Sequence, residues 1–188
     1  MAKVEGEIVE EEELGAEEEA RRRLALAQIR QYPDVALKMA ARPVEEFDEE
    51  LGDLVERMKR LMHDAHGIGL AANQVGVLRR IFVFAPAKDE VAAVANAKIV
   101  ERSDETEVVE EGCLSIQGVL VPIERPASIV LVGKDERGND VRHELEGIYA
   151  RAAQHELDHL DGVLIINRTT PEARREALAL LRPRIVIS

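Results

Sequence analysis

The sequence predicts an α+β fold: a single domain of short, mostly antiparallel strands packed around a central helix. Three observations predict it. Apolar positions recur at helical spacing in well-separated segments of the first half, the middle of the second half and the C-terminal part. Between them lie short runs of β-forming residues bounded by turn residues. Strands and helices do not alternate in the βαβ rhythm of a doubly wound sheet. A chain of 188 residues suits one such domain.

The elements follow in chain order. Nine glutamates lie between Glu5 and Glu19, and Arg21, Arg22 and Arg23 come next. Like charges at that density favour extension, so residues 1–24 are expected to form an acidic N-terminal extension, a tail or frayed helix. The compact domain is expected over residues 25–188. Tyr32-Pro33-Asp34 reads as a turn, because proline fixes its own φ and restrains the residue before it. Leu51, Leu54, Val55, Met58, Leu61 and Met62 then recur at helical spacing, with Asp48 as N-cap and Gly67 as the stop. Strands are expected at 81–84, 98–101, 107–110, 119–123 and 128–132, and after turn chemistry at 136–140 another at 141–145. A central helix should run from about 148 to 160 and stop near Gly162. Pro171 opens a third helix, Pro183 ends it, and 185–187 reads as a closing strand.

Composition narrows the class of function. The formal net charge is −12, which argues against a protein that binds nucleic-acid phosphates through Lys and Arg. No apolar run approaches the roughly 20 residues that span a bilayer, so no membrane association is expected. The acidic start does not resemble a secretory signal, and a cytoplasmic location is expected. Cys113 is the single cysteine, which excludes an intrachain disulfide and leaves a buried residue, a reactive thiol or a ligand.

Three segments carry chemistry. Gln154-His155-Glu156-Leu157-Asp158-His159 places His-Glu-x-x-His on the central helix, where two imidazoles four residues apart can reach one metal ion. Glu156 stands beside them to take a proton from an attacking water. A catalytic site needs a third ligand and one open position. Cys113, in Glu111-Gly112-Cys113-Leu114-Ser115, is the first candidate, with Asp161 and His143 as alternatives. Gly67-Ile68-Gly69-Leu70-Ala71-Ala72-Asn73-Gln74 is the third segment, with small residues that permit close backbone approach and an amide at Gln74. It follows a helix rather than a strand, so it fails the context of a dinucleotide-binding loop.

In this order, Gly-Ile-Gly-Leu-Ala-Ala-x-Gln, Glu-Gly-Cys-Leu-Ser and Gln-His-Glu-x-Asp-His resemble the peptide deformylase family, over roughly residues 29–167. The resemblance implies a hydrolase that removes the N-formyl group from formyl-methionyl nascent peptides. Cys113, His155 and His159 would hold one divalent metal ion, ferrous iron (Fe2+) first, with Zn2+ or Ni2+ as alternatives. Glu156 would move the proton, while the Leu114 N–H and the Gln74 amide stabilise the oxyanion, such donors being worth about 3 kcal/mol each. Ile68, Gly69 and Gly112 would pair with the substrate backbone as with an added strand. Ile148 and Ala152 would line the methionine pocket. Arg125 would pair with Asp158 behind the helix, and arginines of the last helix suggest transient docking on the ribosome. Gln117 and Leu120 depart from the family's proline and arginine, which removes those contacts to longer peptides from what the resemblance implies. Two other readings stay open: a metallopeptidase, since His-Glu-x-x-His is shared, and a binding module that retains only the fold. Glu111, at the start of the cysteine motif, is equally consistent with a local hydrogen bond and a solvated position, and Tyr149 and Arg151 are expected on the outer sides of the central helix.

Overall fold

A computed structural model of the chain describes residues 3–4 and 15–182. The expected closing strand at 185–187 and the glutamates at 5–13 lie outside the described residues. Strand β1 (Lys3–Val4) comes first, then helix α1 (Ala16–Leu26). Glu17, Glu18 and Glu19 occupy the first turn of α1, where the positive end of the helix dipole favours them. Ala25 and Ile29 are buried against α2, so the acidic stretch ends as a docked helix.

Helix α2 (Glu49–Asp64) buries Leu51, Val55, Met58, Leu61 and Met62 on the face that their spacing predicts. Asp48 caps it, its side chain accepting from the Leu51 N–H at 2.9 Å. The stop differs by one residue. His66, with φ 59°, takes the left-handed position, and the Gly67 N–H donates to Met62 O at 2.8 Å, the six-to-one bond of a Schellman turn.

Two sheets follow. The larger contains β2 (Gly69–Ala71), β3 (Ile81–Phe84), β4 (Ala92–Arg102), β7 (Ser128–Lys134) and β8 (Asp140–Glu146), all neighbours antiparallel. The β7–β8 hairpin pairs Ser128 with Glu146 and Lys134 with Asp140, and its turn places Gly138 at φ 87°. The smaller sheet pairs β5 (Thr106–Glu111) with β6 (Val121–Pro126), and β1 adds to β5 in parallel at Glu110 and Glu111. β6 starts two residues later than expected, because 119–120 still belong to the loop after Cys113.

Helix α3 (Gly147–Leu160) is the central element, buried continuously from Ala150 to Leu160. Ala150, Ala153, Leu157 and Leu160 pack with Phe82, Phe84, Leu131 and Leu145 of the large sheet. A short helix α4 (Ile165–Arg168) and helix α5 (Pro171–Leu180) close the far side, the Thr170 side chain capping α5. Leu164, Ile165, Ile166 and Ala177 enclose a separate core with Leu37, Ile116, Val121 and Ile123. Cys113 borders that core, so the loop after β5 is held from beneath by apolar packing. The α+β class, the mostly antiparallel strands and the central helix are as the sequence predicts.

Candidate metal centre

The three motifs converge. Cys113, directly after β5 and Gly112, faces the one-turn face of α3 that carries His155 and His159. Cys113 Sγ lies 3.2 Å from His159 Nε2, and the two Nε2 atoms are 3.2 Å apart. One donor atom from each residue fits within 4.8 Å of the others, and all three residues are buried. A tetrahedral ion bound by nitrogens at about 2.0–2.1 Å has ligand–ligand edges of about 3.3 Å, so these spacings match the edges of such a site. A thiolate with two imidazoles is also a donor set that borderline and soft divalent ions accept. Residues and geometry therefore fit a metal ion.

The alternative third ligands are elsewhere. Asp161 pairs with Arg80 at 2.6 Å, and His143 stacks edge-on against Phe84.

The orientation of His155 has a visible cause. Its Nδ1 meets Glu111 Oε2 at 3.1 Å, which turns Nε2 toward the sulfur. Glu111 is 2 % exposed, with Arg125 Nε and Nη2 donating to its two oxygens at 2.6 and 2.9 Å. Arg151 Nη1 adds a third donation at 2.7 Å. Burial alone would raise this carboxyl, but the bonds from His155 and Arg125 outweigh it and hold Glu111 well below the usual carboxylate range. Arg125 Nη1 also reaches Asp158 at 2.9 Å, as expected, and Arg168 grips the same carboxylate from α4. The pair is buried rather than solvated, so it joins β6, α3 and α4 into one frame.

Glu156 differs from Glu111 in kind. It is 4 % exposed, its Oε2 has no hydrogen-bond partner among the described residues, and burial pushes its pKa up to about 7. Its Oε1 lies against Gly69 of β2. A cleft beside it is lined by Ile68, Gly112, Arg151, Ala152, His155 and Glu156 itself. Ile148 is not among the residues lining this cleft and is 37 % exposed at the start of α3. Arg151 is there instead, buried, contrary to the expectation that it lies on the outer side of the helix.

The Leu114 carbonyl accepts from Gln31 Nε2 at 2.9 Å, while its N–H has no acceptor among the described residues. Gln74 is 2 % exposed, its Oε1 accepting from the Ala71 N–H at 2.8 Å and its Nε2 donating to Ser115 Oγ at 3.1 Å. That same nitrogen is 4.0 Å from Cys113 Sγ, so the amide borders the metal-binding geometry. Asn73, unremarked in the sequence, donates to the His159 carbonyl and ties the turn after β2 to the end of α3. β2 is an edge strand, with Ile68 and Gly69 at its start. Gln117 is exposed and Leu120 half-buried, both lining the cleft beside Cys113.

Residues 26–175 match the family model described as polypeptide deformylase. The chain belongs to the polypeptide deformylase family. The peptide deformylase of Thermotoga maritima is 47% identical over 146 residues, covering 78% of this chain and 88% of that protein. A crystal structure of peptide deformylase from the same organism superposes with TM-score 0.73 at 48% identity, over 76% of this chain and 97% of that one. The peptide deformylase of Ehrlichia chaffeensis, solved in complex with actinonin, superposes at 0.78 with 34% identity, over 82% of this chain and 94% of that one. The deformylase match leaves residues 1–25 outside it, including most of α1.

Proposed function

We infer that this chain is a metal-dependent hydrolase that removes the formyl group from the formyl-methionine end of nascent polypeptides. One observation carries the reading: the Cys113 sulfur and two imidazoles converge at ligand spacing beside a buried carboxyl, Glu156, whose Oε2 has no hydrogen-bond partner among the described residues. In this reading residues 25–188 are the catalytic domain and residues 1–24 its acidic extension.

Cys113, His155 and His159 are the residues that would hold the ion. Bound there, a divalent cation supplies Lewis acidity and lowers the pKa of water toward 7. The chain's own groups do the rest. Glu156 accepts the proton of the attacking water through its free oxygen and returns it to the amine that leaves. A carboxyl raised to about 7 is matched to that exchange near neutral pH. The Leu114 N–H and the Gln74 amide donate to the carbonyl oxygen as the formyl carbon becomes tetrahedral. Ile68, Gly69 and Gly112 hold the peptide backbone along the free edge of β2. Ala152 forms the wall of the methionine pocket, with Ile148 at its rim. Ferrous iron is the working ion in this reading, with zinc or nickel able to replace it. The enzyme acts in the cytoplasm on chains leaving the ribosome. Arg174, Arg175, Arg182 and Arg184 of the C-terminal part are the basic groups that would meet the ribosome.

The test is formate release from formyl-Met-Ala-Ser by the wild-type chain and by Glu156→Gln, each with its metal content measured. Wild type is expected to turn over, and the variant to lose about 10²–10⁴-fold in rate at equal metal content. Full metal occupancy without formate release by wild type refutes the reading, and cleavage of internal peptide bonds would make the chain a peptidase.

A further inference from the structure

Arg151 belongs to none of the motifs, yet it is one of the most heavily bonded side chains near the site. It precedes His155 by one helical turn, on the same face of α3. Its side chain is 5 % exposed. Nη1 donates to Glu111 Oε1 at 2.7 Å and to Ile123 O at 3.0 Å, and Nη2 donates to Glu107 O at 2.9 Å. Glu107 and Glu111 lie on β5, and Ile123 lies on β6. β5 runs through Gly112 straight into Cys113. One guanidinium thus bonds the helix that carries both imidazoles to the strand that ends on the sulfur.

We propose that Arg151 is a positioning residue for the metal centre, fixing the distance between the cysteine strand and the histidine helix and the orientation of His155 through Glu111. The inference rests on the metal reading above. Neutralising Glu111 does not require Arg151, because Arg125 already donates to both carboxylate oxygens. What Arg151 adds is a link from α3 to β5 itself. Arg125 connects the same strand and helix only indirectly, from β6, bonding Glu111 on one side and Asp158 on the other. The acceptors also explain the residue type. Two backbone carbonyls and a carboxylate oxygen need several donors in a fixed plane, which a guanidinium presents and an ammonium does not. Without the guanidinium, β5 and α3 stay joined only by way of the Glu111 carboxylate, through His155 and through Arg125 to Asp158, while the bonds to the Glu107 and Ile123 carbonyls are lost, and the spacing of sulfur and imidazoles loosens.

The experiment compares full-length wild type, Arg151→Lys and Arg151→Gln as cobalt(II) and nickel(II) forms. The readouts are the thiolate-to-cobalt absorption, the cobalt d–d bands and the nickel dissociation constant from chelator competition. Leu51→Ala, in the core of α2 away from the site, serves as a variant destabilised by packing alone. Arg151→Gln is expected to weaken nickel binding about 10–100-fold and to change the cobalt bands. Arg151→Lys should fall between it and wild type, and Leu51→Ala should keep the wild-type bands and affinity. Should Arg151→Gln fail to fold, Arg151→Lys alone decides by its shift in cobalt bands and affinity. Wild-type spectra and affinity in the folded Arg151 variants overturn the proposal, as does an equal change in Leu51→Ala. Absence of thiolate absorption in wild type itself would instead refute the metal reading.

Discussion

Glu156 Oε1 fills the space where Gly69 would carry a side chain. An ideal Cβ at residue 69 would lie 2.8 Å from both Cγ and Cδ of Glu156, closer than real Cβ contacts come. The glycine of β2 and the acid of α3 are therefore one fitted pair, and the absence of a methyl group sets where the carboxylate can rest.

Gly69→Ala should push the Glu156 carboxylate out of its seat while leaving Cys113, His155 and His159 in place. A misplacement of about 1 Å is worth about 10²-fold in rate. The expected outcome is a fall of that order in kcat for formyl-Met-Ala-Ser with metal content unchanged. Stopped turnover with lost metal would place the effect on the ligands instead.

Arg125→Met removes the cation shared by Glu111 and Asp158, both buried. Breaking one partner of a buried pair leaves an uncompensated charge and destabilises by about 3–5 kcal/mol. Urea unfolding of the variant against wild type measures this. A change under about 1 kcal/mol would mean that Arg151 and Arg168 carry the charges unaided.

The metal reading predicts an exchangeable ion. Removal by chelator should abolish formate release, and ferrous iron, nickel or zinc should each restore it. The iron form is expected to lose activity faster under air or peroxide, since a thiolate and an open position expose it to oxygen chemistry. Equal half-lives for the three forms would contradict this.

Asp48→Ala tests the start of α2 far from the chemistry. Losing the cap bond to the Leu51 N–H should reduce stability by about 1 kcal/mol and leave kcat unaltered. Thermal unfolding and the formate assay read the two effects separately.

What the sequence made legible was whatever a local pattern encodes. The periodicity of α2, the Pro171 start of α5 and the alternation in β8 are written in neighbouring residues, and so is the paired-imidazole face of α3. Asp158 with Arg125 was also readable, through the family likeness. The burial of Glu111 and Arg151 was not, because their bonding partners lie 14–44 residues away in the chain. Nothing beside them marks a buried position. The exposure of Ile148 was equally unreadable: helical spacing puts it on the face of Ala152 and His155, but α3 begins at Gly147, so its first turn stands out in solvent. The choice of His66 over Gly67 as the left-handed residue turns on one hydrogen-bond register, finer than composition can resolve.

The groups assigned to the site straddle a seam. The sulfur rides on the small sheet, Gly69 starts the first strand of the large one, and no strand is shared between them. α3 and its one arginine, Arg151, are the stitching. Parting that seam would silence the enzyme while both sheets keep their ladders intact, so gentle heating should extinguish turnover before circular dichroism registers any loss of structure.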